Sequence, residues 1–267
     1  MTITEHATAS NQASSRSIIH ASGVNHSYEG ATGWVNALRD FAIDIPENEF
    51  LCLLGPSGCG KSTFLKIVAG LMQPTEGQVL FDGKEIREPG LDRGIVFQEP
   101  ALFPWLTVSR NVEFGLDMGG WSRADARARG QHVLEIVGLG RVGNLYPYQL
   151  SGGMRHRVAV ARAWALRDAP LLLMDEPFSA IDAINRMTLQ DYLVETWLKE
   201  PRTVIYVTHD IDEAVYLGDR VAVMTPGPGK VGTSLAINLP RPRDRNSTEV
   251  ARYKAEITEI MRQMTSR

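Results

Sequence analysis

The chain has 267 residues, 43% hydrophobic and 22% charged, with a formal net charge of -3. That composition is globular and long enough for one sizeable core, and its mild acidity gives no basis for a polyanion-binding surface, so nucleic acid is not expected as a partner. Its two cysteines, Cys52 and Cys59, exclude a disulfide framework and point to a reducing compartment.

Met1 to Ser17 is rich in Ser, Thr and Ala, lacks the apolar stretch of a signal peptide, and reads as a disordered tail. Strand-length runs of β-formers follow at Ile18 to Val24 and Phe41 to Ile45, and Phe50 to Leu54 is a continuous apolar strand. A glycine loop leads into a predicted helix over Lys61 to Leu71, before the turn residues Pro74 and Gly77. Val79 to Phe81 and Gly94 to Phe97 read as strands, and Ser109 to Val137 as helical, with Ser122 and Asp125 as a start signal. Leu171 to Met174 and Thr203 to Val207 are buried-type strands. Asp210 with Glu213 is expected to cap a helix over Ile211 to Leu217. Val221 to Met224 is a strand ended by Pro226-Gly227-Pro228-Gly229, and Thr248 to Met264 has the pattern of an amphipathic helix. The longest apolar runs are strand-length, far short of the roughly 20 residues of a membrane-spanning helix. Strands alternate with helices at both ends around a helical block, which predicts a parallel-sheet α/β core with a helical insertion.

Gly55-Pro56-Ser57-Gly58-Cys59-Gly60-Lys61-Ser62, followed by Thr63, fits the Walker A pattern between a predicted strand and a predicted helix. Glycines let the backbone curl so that amide N–H groups face inward, and a helix N-terminus adds positive potential, so the loop suits phosphate. Lys61 then reaches the β- and γ-phosphates, and Ser62 offers a hydroxyl to Mg²⁺. Cys59, inside this loop at a helix start, is expected to have a lowered pKa and a reactive thiol. The strand Leu171 to Met174 ends in Asp175-Glu176. Unpaired buried carboxylates are costly. Beside a Walker A loop, Asp175 is placed to hold Mg²⁺ and Glu176 to polarise an attacking water; otherwise the pair marks a strand end reaching solvent. A second anion element lies far along the chain, where Ser151-Gly152-Gly153 opens a helix expected to begin near Arg155.

With Leu150-Ser151-Gly152-Gly153-Met154, the sequence resembles the ABC ATPase family, from Ile18 to Pro242. The resemblance implies a P-loop, RecA-like α/β core with an antiparallel β subdomain and a helical signature subdomain over about 108–162. The ATPase domain then spans 18–242, with a tail at 1–17 and a C-terminal helical tail at 243–267. It implies that Gln98 touches Mg²⁺ and the attacking water, that Ser179-Ala180-Ile181-Asp182 is the D-loop, and that His209 contacts the γ-phosphate. Tyr28 is implied to stack on adenine, with Trp34 as a competitor. Two chains would sandwich two ATP molecules, the signature of one facing the Walker A loop of the other. Met154, His156 and Ile181 depart from the commonest pattern; His156 reads as a surface histidine.

Phe97 to Val108, Thr208 to Ala214 and Pro226 to Gly229 together look like the nitrate, sulfonate and taurine importer ATPases. This implies an ATP-hydrolysing subunit at the cytoplasmic face of the inner membrane. Its partners would be transmembrane permease subunits and, through them, a periplasmic or extracellular solute-binding protein. The apolar set Leu102, Phe103, Pro104 and Trp105 would dock the permease; local core packing is the other reading of Phe103. The alternative function is a soluble ABC ATPase acting on nucleic acid or ribosomes. Against it, no coiled coil separates the two phosphate elements, and each motif occurs once. A non-hydrolysing regulatory subunit is a third reading, opposed by Glu176, Gln98 and His209.

Overall fold

A computed structural model describes residues 16–30, 33–166, 169–179 and 181–265. Of the expected tail, residues 1–15 lie outside these; Ser17 already opens a strand. Two sheets carry the architecture. The smaller is antiparallel, ordered β2-β1-β4-β5, from β1 (Ser17–Gly30), β2 (Gly33–Pro46), β4 (Glu76–Phe81) and β5 (Lys84–Glu85).

The larger sheet, ordered β10-β9-β3-β8-β7-β6, joins β3 (Phe50–Leu54), β6 (Arg93–Val96), β7 (Leu171–Asp175), β8 (Thr203–Thr208), β9 (Arg220–Met224) and β10 (Val231–Ala236). All its pairings are parallel except that of β10 with β9. Parallel strands need covered faces, which is why β3 is apolar throughout and β7 is apolar up to Asp175. Successive side chains feed opposite cores: Phe50, Cys52 and Leu54 pack into one, Leu51 and Leu53 into the other.

The first core is closed by α2 (Val108–Met118), α3 (Arg123–Ile136), α4 (Gly152–Ala165), α5 (Ala183–Lys199), α6 (Ile211–Leu217) and α7 (Thr248–Thr265). The second is filled by α1 (Lys61–Val68) and the small sheet. Helix α1 is shorter than expected because Gly70 turns left-handed, at φ +75°, and its N–H and that of Leu71 bond back to Ile67 and Lys66 carbonyls. Helix α4 begins at Gly152, three residues before the expected start. Helix α5 and strands β5 and β10 add to the elements expected from sequence. Among the described residues, no helix is long and apolar enough to cross a membrane.

Candidate functional site

Four parallel strands end on one edge of the large sheet, and each hands its next residues to the same place. β3 runs into the glycine loop, β6 into Gln98, β7 into Glu176 and β8 into His209. With the small sheet they line a cleft of about 500 Å³, walled by Tyr28, Asn36, Ser57, Gly58, Gly60, Lys61, Ser62, Thr63, Gln98, Glu176 and His209. Gly55, Pro56 and Cys59 lie behind this lining, and Ser62 reaches Asp175 from it.

The helix caps explain why this edge suits phosphate. Thr107, Ser122, Ser151, Asp182 and Asp210 each cap their own helix through a side-chain oxygen. Helix α1 has no such cap: its N-cap is Gly60, at φ +94°. A Cβ there would lie 2.5 Å from the Ala37 carbonyl oxygen, so only glycine fits. The first turn of α1 therefore has no side-chain oxygen at its amides. Lys61, 5% exposed, donates to the Gly55 and Pro56 carbonyls at 2.7 and 2.9 Å.

Ser62 Oγ donates to Asp175 Oδ1 at 2.9 Å. Burial pushes the Asp175 carboxyl above its ordinary value and Glu176 adds to the rise; Ser62, Lys66 and Lys61 oppose it. Glu176 sits at φ +45°, a strained conformation for a non-glycine residue, and its N–H is tied to the Val207 carbonyl at 3.0 Å. His209 Nδ1 lies 3.1 Å from Glu176 Oε1. Tyr28 Oη is 3.0 Å from Thr63 Oγ1, and its ring packs edge-on against His26. Trp34, its competitor, is 72% exposed and not among the residues lining the cleft.

Ser151, Gly152 and Gly153 lie elsewhere. None of them lines the cleft, and a Cβ on either glycine would meet nothing within 4 Å. Ser151 Oγ accepts from the Met154 N–H at 3.3 Å, so part of that helix start is already capped. Of the D-loop, Ala180 lies outside the described residues, and Asp182 caps α5.

Three expectations need correction. Cys59 is 1% exposed, with its side chain in the core shared with α1, and burial raises its pKa, outweighing the lowering by Lys61 and the backbone N–H groups of the loop; a reactive thiol is not what the fold builds. His156 is not a surface residue: it is 6% exposed, and burial lowers its pKa. Glu213 does not complete a capping box with Asp210; it is buried and bonds to Gln190, Tyr206 and Thr208.

A glycine loop after a central parallel strand, with an acidic pair ending a nearby one, defines a P-loop nucleotide-binding protein. The family model described as "ABC transporter" matches residues 38–179. An uncharacterised ABC transporter ATP-binding protein of Methanocaldococcus jannaschii is 50% identical over 228 residues, 85% of each chain. A nitrate import ATP-binding protein of Synechocystis is 41% identical, covering 90% of this chain and 93% of that one. An aliphatic sulfonates import ATP-binding protein of Bacillus licheniformis is 45% identical, covering 79% and 82%. Among solved structures, an ATP-binding cassette captured as a dimer in a post-hydrolysis state with ADP and Pi superposes with a TM-score of 0.74 at 33% identity, covering 83% of this chain and all of that one. The chain belongs to the ABC transporter family and is an ATPase of that family.

Proposed function

We propose that this subunit hydrolyses ATP as a head-to-tail dimer and thereby drives uptake of a small anion, a sulfonate (taurine included) or nitrate, through a separate permease. The observation that carries the reading is the division of the phosphate-binding parts. The Walker A loop, Gln98, Glu176 and His209 share one cleft, while Ser151 to Gly153 lie outside it on an open surface. One chain holds half of each site, and a second copy supplies the other half. In that arrangement the backbone from Ser57 to Thr63 and the Lys61 ammonium hold the phosphates, Tyr28 packs on the base, Glu176 accepts a proton from the attacking water, and His209 contacts the γ-phosphate.

The residues present fit a Mg²⁺ ion. Asp175 is a buried carboxylate whose charged form burial disfavours, with the Ser62 hydroxyl bonded to it and Gln98 lining the same cleft as Ser62. Among the described residues no three of His, Cys, Asp and Glu converge, which suits an ion held mainly by nucleotide oxygens and water. Ser62, Gln98 and Asp175 would hold it, and when bound it neutralises charge on the β- and γ-phosphates.

The permease contact is assigned to the segment after Gln98. Trp105 is 71% exposed, and the Phe103 ring packs at a tilt against both Trp105 and Phe114, with ring centroids at 5.6 and 4.6 Å. Met118 extends this apolar surface on α2. Such a patch on a polar surface is a protein contact, and it would place the chain at the cytoplasmic face of the inner membrane. Phe103→Asp is expected to weaken co-purification with the permease at least tenfold while ATP affinity changes less than about twofold. The function is tested by affinity purification of the complex and by deletion. A two-chain permease should accompany the subunit, and the deletion strain should fail to grow on a sulfonate as sole sulfur source or nitrate as sole nitrogen source. Normal growth on all of these, with lost uptake of an unrelated solute, overturns the substrate; absence of any permease overturns the transport role.

A further inference from the structure

A buried polar cluster outside the cleft flanks His209 in sequence, through Thr208 and Asp210 on either side of it. Glu213, on α6, is 6% exposed, and its carboxylate accepts from Thr208 Oγ1 at 2.7 Å, Gln190 Nε2 at 3.0 Å and Tyr206 Oη at 3.1 Å. The Thr208 hydroxyl gives its proton to Glu213, so its lone pair is left to accept the Asp210 N–H, at 3.0 Å. Asp210 in turn caps α6 through the N–H groups of Asp212 and Glu213. Both neighbours of His209 are thus fixed by one carboxylate and the hydroxyl bonded to it.

A second layer comes from the C-terminal arm. Arg245 donates to Gln190 Oε1 at 2.8 Å and to Asp191 Oδ1 at 2.6 Å, and its guanidinium lies 3.3 Å over the Tyr216 ring. Arginine only donates. It therefore holds the Gln190 amide oxygen on its own side and leaves the NH₂ to face Glu213. Arg243 donates to the Val215 and Gly218 carbonyls at the far end of α6, and Lys254 of α7 pairs with Asp212 at 2.8 Å. The arm grips α6 at both ends and reaches the His209 loop through Gln190 and Glu213.

We propose that Glu213 and Arg245 are positioning residues for His209, through which the C-terminal arm sets the hydrolytic step without touching ATP. The inference rests on the reading of His209 as the γ-phosphate contact. Its physical basis is that a displacement of about 1 Å in a catalytic group costs on the order of a hundredfold in rate. A carboxylate satisfies three donors at once. A glutamine at 213 presents N–H to at least one of them, Gln190 on one side or Thr208 and Tyr206 on the other, so the network that fixes the two neighbours of His209 must rearrange.

The test uses the purified full-length chain, comparing kcat, KM and affinity for a non-hydrolysable ATP analogue. Glu213→Gln should lower kcat about tenfold and Arg245→Ala about threefold, with analogue affinity held within about twofold. Arg245→Lys, still a donor, should recover part of the loss. In a His209→Ala background measured by single turnover, neither change should lower the rate further, because both act through the imidazole. Unchanged kcat in both variants overturns the inference, as does an equal proportional loss in the His209→Ala background. Should Glu213→Gln fail to fold, Arg245→Ala and Arg245→Lys carry the same comparison. A His209→Ala variant with full turnover removes the reading of His209 itself; a crippled one beside unaffected Glu213→Gln and Arg245→Ala removes only the positioning role.

Discussion

Lys61→Ala is expected to abolish ATP turnover, with kcat/KM down by about a thousandfold or more and nucleotide affinity down at least about tenfold. Lys61 is the cation that the first turn of α1 brings to the glycine loop, and it is buried against it. Its ammonium now answers two backbone carbonyls, Gly55 and Pro56, and alanine leaves both without that donor. The developing charge on the transferred phosphoryl group would then meet amides alone. Steady-state hydrolysis by the folded variant, with ATP titration monitored by calorimetry, reads both effects. Wild-type turnover would remove the cleft as the hydrolytic site.

Glu176→Gln should separate binding from chemistry. The amide keeps the size of the carboxylate and its place at the strained end of β7, 3.1 Å from His209 in the wild type. What it loses is the ability to accept a proton, which general-base mutants typically feel as a loss of about 10² to 10⁴ in kcat. ATP should still bind, and the variant should accumulate as an ATP-bound dimer in sedimentation velocity. A variant saturated with ATP that still hydrolyses at the wild-type rate would show that Glu176 is not the base, and one that stays monomeric at all concentrations would count against the shared site.

The parts of this arrangement that the sequence makes legible are those written locally. Strands β3 and β7 are apolar because both faces are covered, so their sequences read as buried runs whose ends are marked by the glycine loop and the acidic pair. Ser122 before α3 and Asp210 before α6 announce their helices by cap chemistry. Helix α5 escaped because its exposed face carries Ile184, Met187, Tyr192 and Leu198, which blurs the apolar stripe that would reveal it. Strand β10 is half-exposed and six residues long, too weak a pattern beside the Pro-Gly turn. Cys59, His156 and Glu213 depart from expectation for a shared reason. Each is oriented by contacts distant in sequence: Cys59 packs into the core beneath the small sheet, and Glu213 meets Gln190, 23 residues away. No local pattern encodes such a partner.

The missing cap on α1 has a thermodynamic consequence. Thr107, Ser122, Ser151, Asp182 and Asp210 close the first turns of their own helices, whereas α1 starts on Gly60 with no side-chain cap. On the reading proposed here, a phosphate chain acts as a detachable cap, and the helix bearing Lys61 and Ser62 is partly held by nucleotide. Mass action then ties the stability of the whole fold to ligand supply. A ligand bound only by the folded chain adds RT ln(1 + [L]/Kd), about 2.7 kcal/mol at a hundredfold excess over Kd. The melting temperature of this subunit should therefore climb with the logarithm of nucleotide concentration once Kd is exceeded, and fall toward its ligand-free value as nucleotide is withdrawn.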